Sequence, residues 1–156
     1  MGEGERVMFW KISAGLAVVV LGSAVSAQNL VQPDNSDAGL GQPLYAEYCA
    51  ACHGVKLEGQ ENWQTPDADG ILPAPPHDRT GHTWHHDDGL LFEYTKLGGA
   101  KTLELRGVSG FASGMAGFSE QLSDAEIWHV LAYIKSTWPA PIQTMQRERS
   151  QAEVSE

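Results

Sequence analysis

The clearest periodic pattern in the chain lies towards its C-terminus. Ile127, Val130, Leu131, Ile134 and Trp138 recur at helical spacing. They follow Ser123-Asp124-Ala125-Glu126, in which a hydroxyl and a carboxylate three residues apart form a capping box. Pro139 and Pro141 end that helix. Residues 139–156 are charged and offer little to bury, which predicts a disordered or frayed tail. A first helix is predicted over Gly41–Cys52, with Leu44, Tyr45 and Tyr48 as its large apolar positions. Asp87 or Asp88 caps a shorter helix through Leu90, Leu91, Phe92, Tyr94 and Leu97, closed by Gly98-Gly99. Gly, Pro, Asp and Asn crowd the stretch from Gly54 to Pro76, and three glycines interrupt Lys101–Gly114, so both read as loops. No strand alternation and no internal repeat stands out. The expected class is all-α with long loops.

The N-terminus carries a different pattern. Arg6 and Lys11 precede the apolar run Ile12–Leu21, and small residues lead to Val25-Ser26-Ala27. That order is an export signal with a cleavage site after Ala27. Ile12 to Ala27 spans 16 residues, Gly and Ser included, whereas a membrane-spanning helix needs about 20 mostly apolar ones. Cleavage is therefore favoured over an uncleaved anchor in the inner membrane, and the expected location is the periplasm. Residues 28–39, with Pro33, Asn35, Ser36 and Asp37, read as a flexible lead-in to a domain over 40–138.

Charge narrows the partners. The chain has 156 residues, 20 acidic and 10 basic, for a net charge of -10. The acidic and basic residues of the leader cancel, so the mature chain keeps all of it. Nucleic acid is excluded as a ligand, because phosphate binding needs clustered Lys and Arg. An anionic membrane surface is a poor match for the same reason.

The two cysteines of the chain lie in Cys49-Ala50-Ala51-Cys52-His53. Thiols three residues apart on one helical turn point the same way and can add to the two vinyl groups of one haem. The next residue, His53, then brings its imidazole to the iron. A thioredoxin-like pair wants a βαβ setting, a zinc site lacks its other ligands, and a plain disulfide leaves His53 unexplained. One covalent haem c is the expected cofactor, attached in the compartment that the leader predicts.

With these residues the chain resembles the monohaem class I c-type cytochromes. The resemblance covers about Leu40 to Trp138. Gly41 and Tyr45 stand eight and four residues before Cys49, as in that family, and Val130-Leu131-Ala132-Tyr133-Ile134-Lys135 matches the pattern of its C-terminal helix. A glycine at position 41 would let the first and last helices of the domain cross closely. The resemblance implies 3–4 helices with long loops wrapped around the haem, and electron transfer between a respiratory donor and an acceptor, with no chemistry done on a substrate. It also implies a methionine as second axial ligand, from a loop before the final helix. Met115, in Ser113-Gly114-Met115-Ala116-Gly117-Phe118, holds that place, with Ala116 where the family often has Pro. Met145 is the rival, beyond two prolines. A thioether favours ferrous iron and raises the potential. The family also supplies a backbone carbonyl from a Pro-containing loop to the histidine's other ring nitrogen, and here Pro73 or Pro75 is the expected acceptor.

His77, His82, His85 and His86 fall within ten residues beside Asp78, Asp87, Asp88 and Trp84. The expected role is a polar loop over one haem edge, with Trp84 packed inward. Copper or zinc binding by His82 with His85 or His86 is the alternative, as is a histidine replacing Met115 on the iron. His129 is expected on the flank of its helix. Trp63, Trp128, Trp138, Phe92 and Phe118 are expected in the core. Net acidity predicts steering towards redox partner proteins with a basic docking surface. Two other functions remain in view: a peroxidase-like haem enzyme or sensor with an open sixth position, and a copper-handling module built on the histidine loop.

Overall fold

Helix α5, Asp124–Ser136, is the element on which the helices over Ala38–Tyr48 and Asp88–Leu97 both pack. In the computed structural model, which describes Met1 and residues 30–155, it begins with the expected capping box. The Glu126 carboxylate accepts the Ser123 N–H at 2.8 Å, and the Ser123 hydroxyl oxygen accepts the Glu126 N–H at 3.4 Å. Its apolar stripe divides between two buried clusters. Val130 and Ile134 meet Tyr45, Cys49, Ala50, Leu57 and Trp138. Ile127, Trp128 and Leu131 meet Leu91, Phe92 and Leu122. Each large side chain so buried contributes about 2 kcal/mol to folding.

Helix α1, Ala38–Tyr48, crosses α5 and makes the principal helix contact of the fold. Asp37 caps it, its carboxylate accepting the Gly39 N–H at 2.7 Å. Gly41 is the crossing point. A Cβ built there would stand 1.9 Å from the carbonyl oxygen of His129 on α5, so a hydrogen is all that this approach admits. The chain breaks at Cys49 and resumes as α2, Ala50–His53. After a long irregular stretch and one 3-10 turn at Thr83–His85 come α3, Asp88–Leu97, and α4, Gly99–Leu105. Asp87 is the cap of α3, accepting the Leu90 N–H at 2.9 Å.

The described residues hold six α-helices, and their sole β feature is an isolated bridge from Ile71 to Ala112. The class is all-α, as expected, but with more helices than expected. Two of the additions correct the sequence reading. Lys101–Gly114 was expected to be loop, yet its first residues belong to α4, because the glycines of that stretch, at 107, 110 and 114, all fall after the helix. The expected disordered tail is instead α6, Ala140–Val154. Pro139 and Pro141 do end α5, but prolines also suit the first turn of the next helix, where an N–H has no intrahelical partner.

α6 stays in place through polar burial. Gln146 and Ser150 are 2% and 1% exposed. The Gln146 amide donates to Asp88 Oδ1 at 2.6 Å and to the His86 carbonyl at 3.2 Å, and the Ser150 hydroxyl oxygen accepts the Asp88 N–H at 3.0 Å. Asp88 also pairs with Lys135 on α5 and accepts the Gln32 N–H at 2.7 Å. That last bond, with Leu30 packed on the second cluster, ties down the part of the lead-in that was expected to be flexible. The expected leader, beyond Met1, lies outside the described residues. No helix among the described residues is long and apolar enough to cross a membrane.

Candidate functional site

The Cys49–His53 segment turns once against the first cluster, to which Cys49 and Ala50 belong. Cys49 is buried and Cys52 exposed, and neither is in a disulfide. Burial, with the neighbouring Cys52 adding to it, pushes the Cys49 thiol up to about 12. The turn is anchored below by Tyr45, whose hydroxyl donates to the Gly54 carbonyl at 3.0 Å. Desolvation holds that phenol well above its usual range.

His53 is 6% exposed. Its Nδ1 lies 2.9 Å from the Pro75 carbonyl oxygen. A carbonyl can only accept, so Nδ1 carries the proton and the lone pair sits on Nε2. Burial lowers the pKa of His53 and outweighs the opposing effect of the Pro75 bond, which keeps the ring neutral. Of the two proline carbonyls named from the sequence, the contact belongs to Pro75 and not to Pro73. The loop reaches this position because Gly59, at φ +69°, lies against it. A Cβ on Gly59 would come within 2.4 Å of Pro76 N and 2.6 Å of the Pro75 carbonyl carbon.

Met115 sits half-buried in the irregular segment between α4 and α5. Its carbonyl accepts the Gly99 N–H at 3.0 Å, and its N–H reaches Ser113 Oγ at 3.3 Å. Phe118 then returns to α3 through its N–H to the Thr95 carbonyl at 3.0 Å. The bridge from Ile71 to Ala112 joins this segment to the loop that carries Pro75. Met145, the rival from the sequence, is about half exposed on α6.

The histidine loop divides. His77 turns inward and stacks on His53, with ring centroids 3.9 Å apart. His82 stacks on Trp63 at 5.3 Å and meets His86 edge-on, while His85 stacks on Trp84 at 3.6 Å. Among the described residues no three His, Cys, Asp or Glu side chains come together as a cage for a metal ion. His129 uses its Nδ1 to accept the Asp37 N–H at 2.9 Å, on the flank where it was expected. Sequence reasoning missed the inward turn of His77 and the Trp138 indole that holds the His77 carbonyl at 2.7 Å. Both contacts join residues far apart in the chain, and no local pattern announces them.

A haem fits the chemistry of the groups at this turn: two thiols three residues apart and a neutral imidazole with its lone pair on Nε2. The indole Nε1 of Trp84, packed on the cluster that holds Cys49, is buried with no hydrogen-bond partner. It is a donor available to an acidic edge. Compared with known protein families, the chain matches the one described as Cytochrome c over residues 38–138. Comparisons with curated proteins and with solved structures find no match.

Proposed function

Because the chain belongs to the cytochrome c family, whose members bind covalent haem c and in general transfer electrons, we propose that it is a periplasmic one-haem electron carrier. Cys49 and Cys52 hold the haem through thioether bonds, and His53 and Met115 are its axial ligands. The haem supplies an iron that alternates between ferric and ferrous states. The observation that carries this reading is the state of His53, buried, neutral and fixed in one tautomer by Pro75 beside two unpaired thiols.

The rest of the chain keeps that change small. Pro75 holds the proton of Nδ1, so electron transfer at the metal need not move it. The first apolar cluster buries Cys49 and Ala50 at the start of the turn that bears the thiols. The net charge of -10 steers the protein towards basic surfaces on its redox partners and favours fast arrival over tight binding.

A haem enzyme with an open sixth position is the second reading. It draws on the Met115 loop, which lacks a proline at Ala116 and is held by few bonds. The test is the spectrum of the haem-loaded protein in both redox states, followed by carbon monoxide on the ferrous form. The carrier reading expects a methionine-to-ferric-iron charge-transfer band and no carbon monoxide adduct. Absence of the band with ready binding overturns Met115 as ligand and moves the enzyme reading ahead.

A further inference from the structure

The segment that meets the edge of His53 also covers its face. Two residues past Pro75, the His77 ring lies on the His53 ring at 3.9 Å, with planes 22° from parallel. A hydrogen bond at one ring nitrogen fixes the tautomer but leaves the plane some freedom to tilt. A flat neighbour on the face removes that freedom. His77 can serve this way because it is itself held on several sides. Its N–H donates to the Leu57 carbonyl at 2.8 Å, and its own carbonyl accepts the Trp138 indole N–H at 2.7 Å. Tyr45 meets its ring edge-on at 6.2 Å.

Its Nδ1 is held as well. Thr83, 5% exposed, places its hydroxyl 2.8 Å from that nitrogen and 3.4 Å from the Pro76 carbonyl oxygen.

We propose that His77 is a positioning residue that fixes the plane of the His53 imidazole, as a clamp on the ligand and not as a ligand. The proposal rests on the reading of His53 as an axial ligand. The plane of an axial imidazole sets how its π orbital overlaps the metal orbitals, and so how unpaired spin spreads over the ferric macrocycle. That distribution has its own readout, the spread of the haem methyl resonances in the proton NMR spectrum.

The experiment compares haem-loaded wild type with His77→Ala, His77→Phe and Thr83→Val, recording the methyl pattern, the reduction potential and the low-spin ferric spectrum. His77→Ala is expected to rearrange the methyl pattern and shift the potential. Thr83→Val, which frees the His77 ring without removing it, moves the pattern the same way by less. His77→Phe keeps a flat ring on the face and returns the pattern towards wild type. Should His77→Ala fail to load haem, Thr83→Val and His77→Phe decide the matter. A low-spin spectrum with a methyl pattern indifferent to these changes overturns the clamp and leaves His53 as ligand. Persistence of the wild-type low-spin spectrum in His53→Ala overturns the ligand and the clamp together.

Discussion

His53 and Met115, the two proposed axial residues, are held by different kinds of structure. His53 follows directly on the second haem cysteine, is bonded at its ring edge by Pro75, covered on its face by His77, and backed by the Tyr45 and Trp138 side chains. Met115 is held through its main chain, its carbonyl on the Gly99 N–H and its N–H on the Ser113 hydroxyl, in a segment that lies against Gly98 and has no helix of its own. One side is over-determined by packing and the other is pinned at a few points. Stable retention of the metal asks for the first and adjustable access for the second.

The largest test of that contrast is to remove each ligand in turn. His53→Ala is expected to abolish the low-spin haem protein and most of its yield. Met115→Ala keeps the haem but lowers the potential and opens the ferrous iron to carbon monoxide, as read by titration and absorption. If both variants lose haem equally, the contrast is wrong. A step smaller, Gly59→Ala forces a Cβ into the backbone of Pro75 and Pro76 at a position with φ +69°. It is expected to cost about 2 kcal/mol in denaturant unfolding and to disturb the His53 side more than the Met115 side. Ser113→Ala removes one weak bond from the Met115 side, costs about 0.5 kcal/mol, and is expected to admit slow carbon monoxide binding that the wild type does not show, without lowering haem content.

The smallest expected effect comes from acid and falls outside both ligand sides, which makes it a control. Burial lowers the pKa of His86 below its ordinary 6.5, with His82 adding to the effect. The unfolded chain then takes up a proton first, so stability declines gently as pH falls below about 6.5. At Asp88 burial pulls the pKa up. The Lys135 charge and the bonds from Lys135, Gln146 and the Gln32 N–H outweigh it, leaving the carboxyl below its ordinary 3.8. Its contribution is intact above that value and is lost as pH falls further through the folded pKa. Thermal melts across this range should show a small decline in the first window and a further one in the second. An Asp88→Asn variant should flatten it.

What the sequence disclosed depended on how far apart the interacting residues are. The Cys49–His53 motif, the capping box at Ser123 and the Asp87 cap are each local chemistry, readable within a turn or two. Gly41 was legible because helix crossing demands a small residue, whatever the partner. α6 was not, because the face it buries presents Gln146 and Ser150 instead of leucines. A search for apolar periodicity passes over such a helix. The choice of Pro75 over Pro73, and the inward turn of His77, depend on the path of a loop shaped by Gly59 and Leu57. Nothing in the local order of residues states that path.

The single bridge from Ile71 to Ala112 has a kinetic consequence. It is the β pairing by which the segment leading into Pro75 touches the segment leading into Met115. Amide protons flanking it are expected to exchange with solvent as one cooperative unit, since neither loop can lift away while the other holds. The well-held side therefore lends its persistence to the loosely held one.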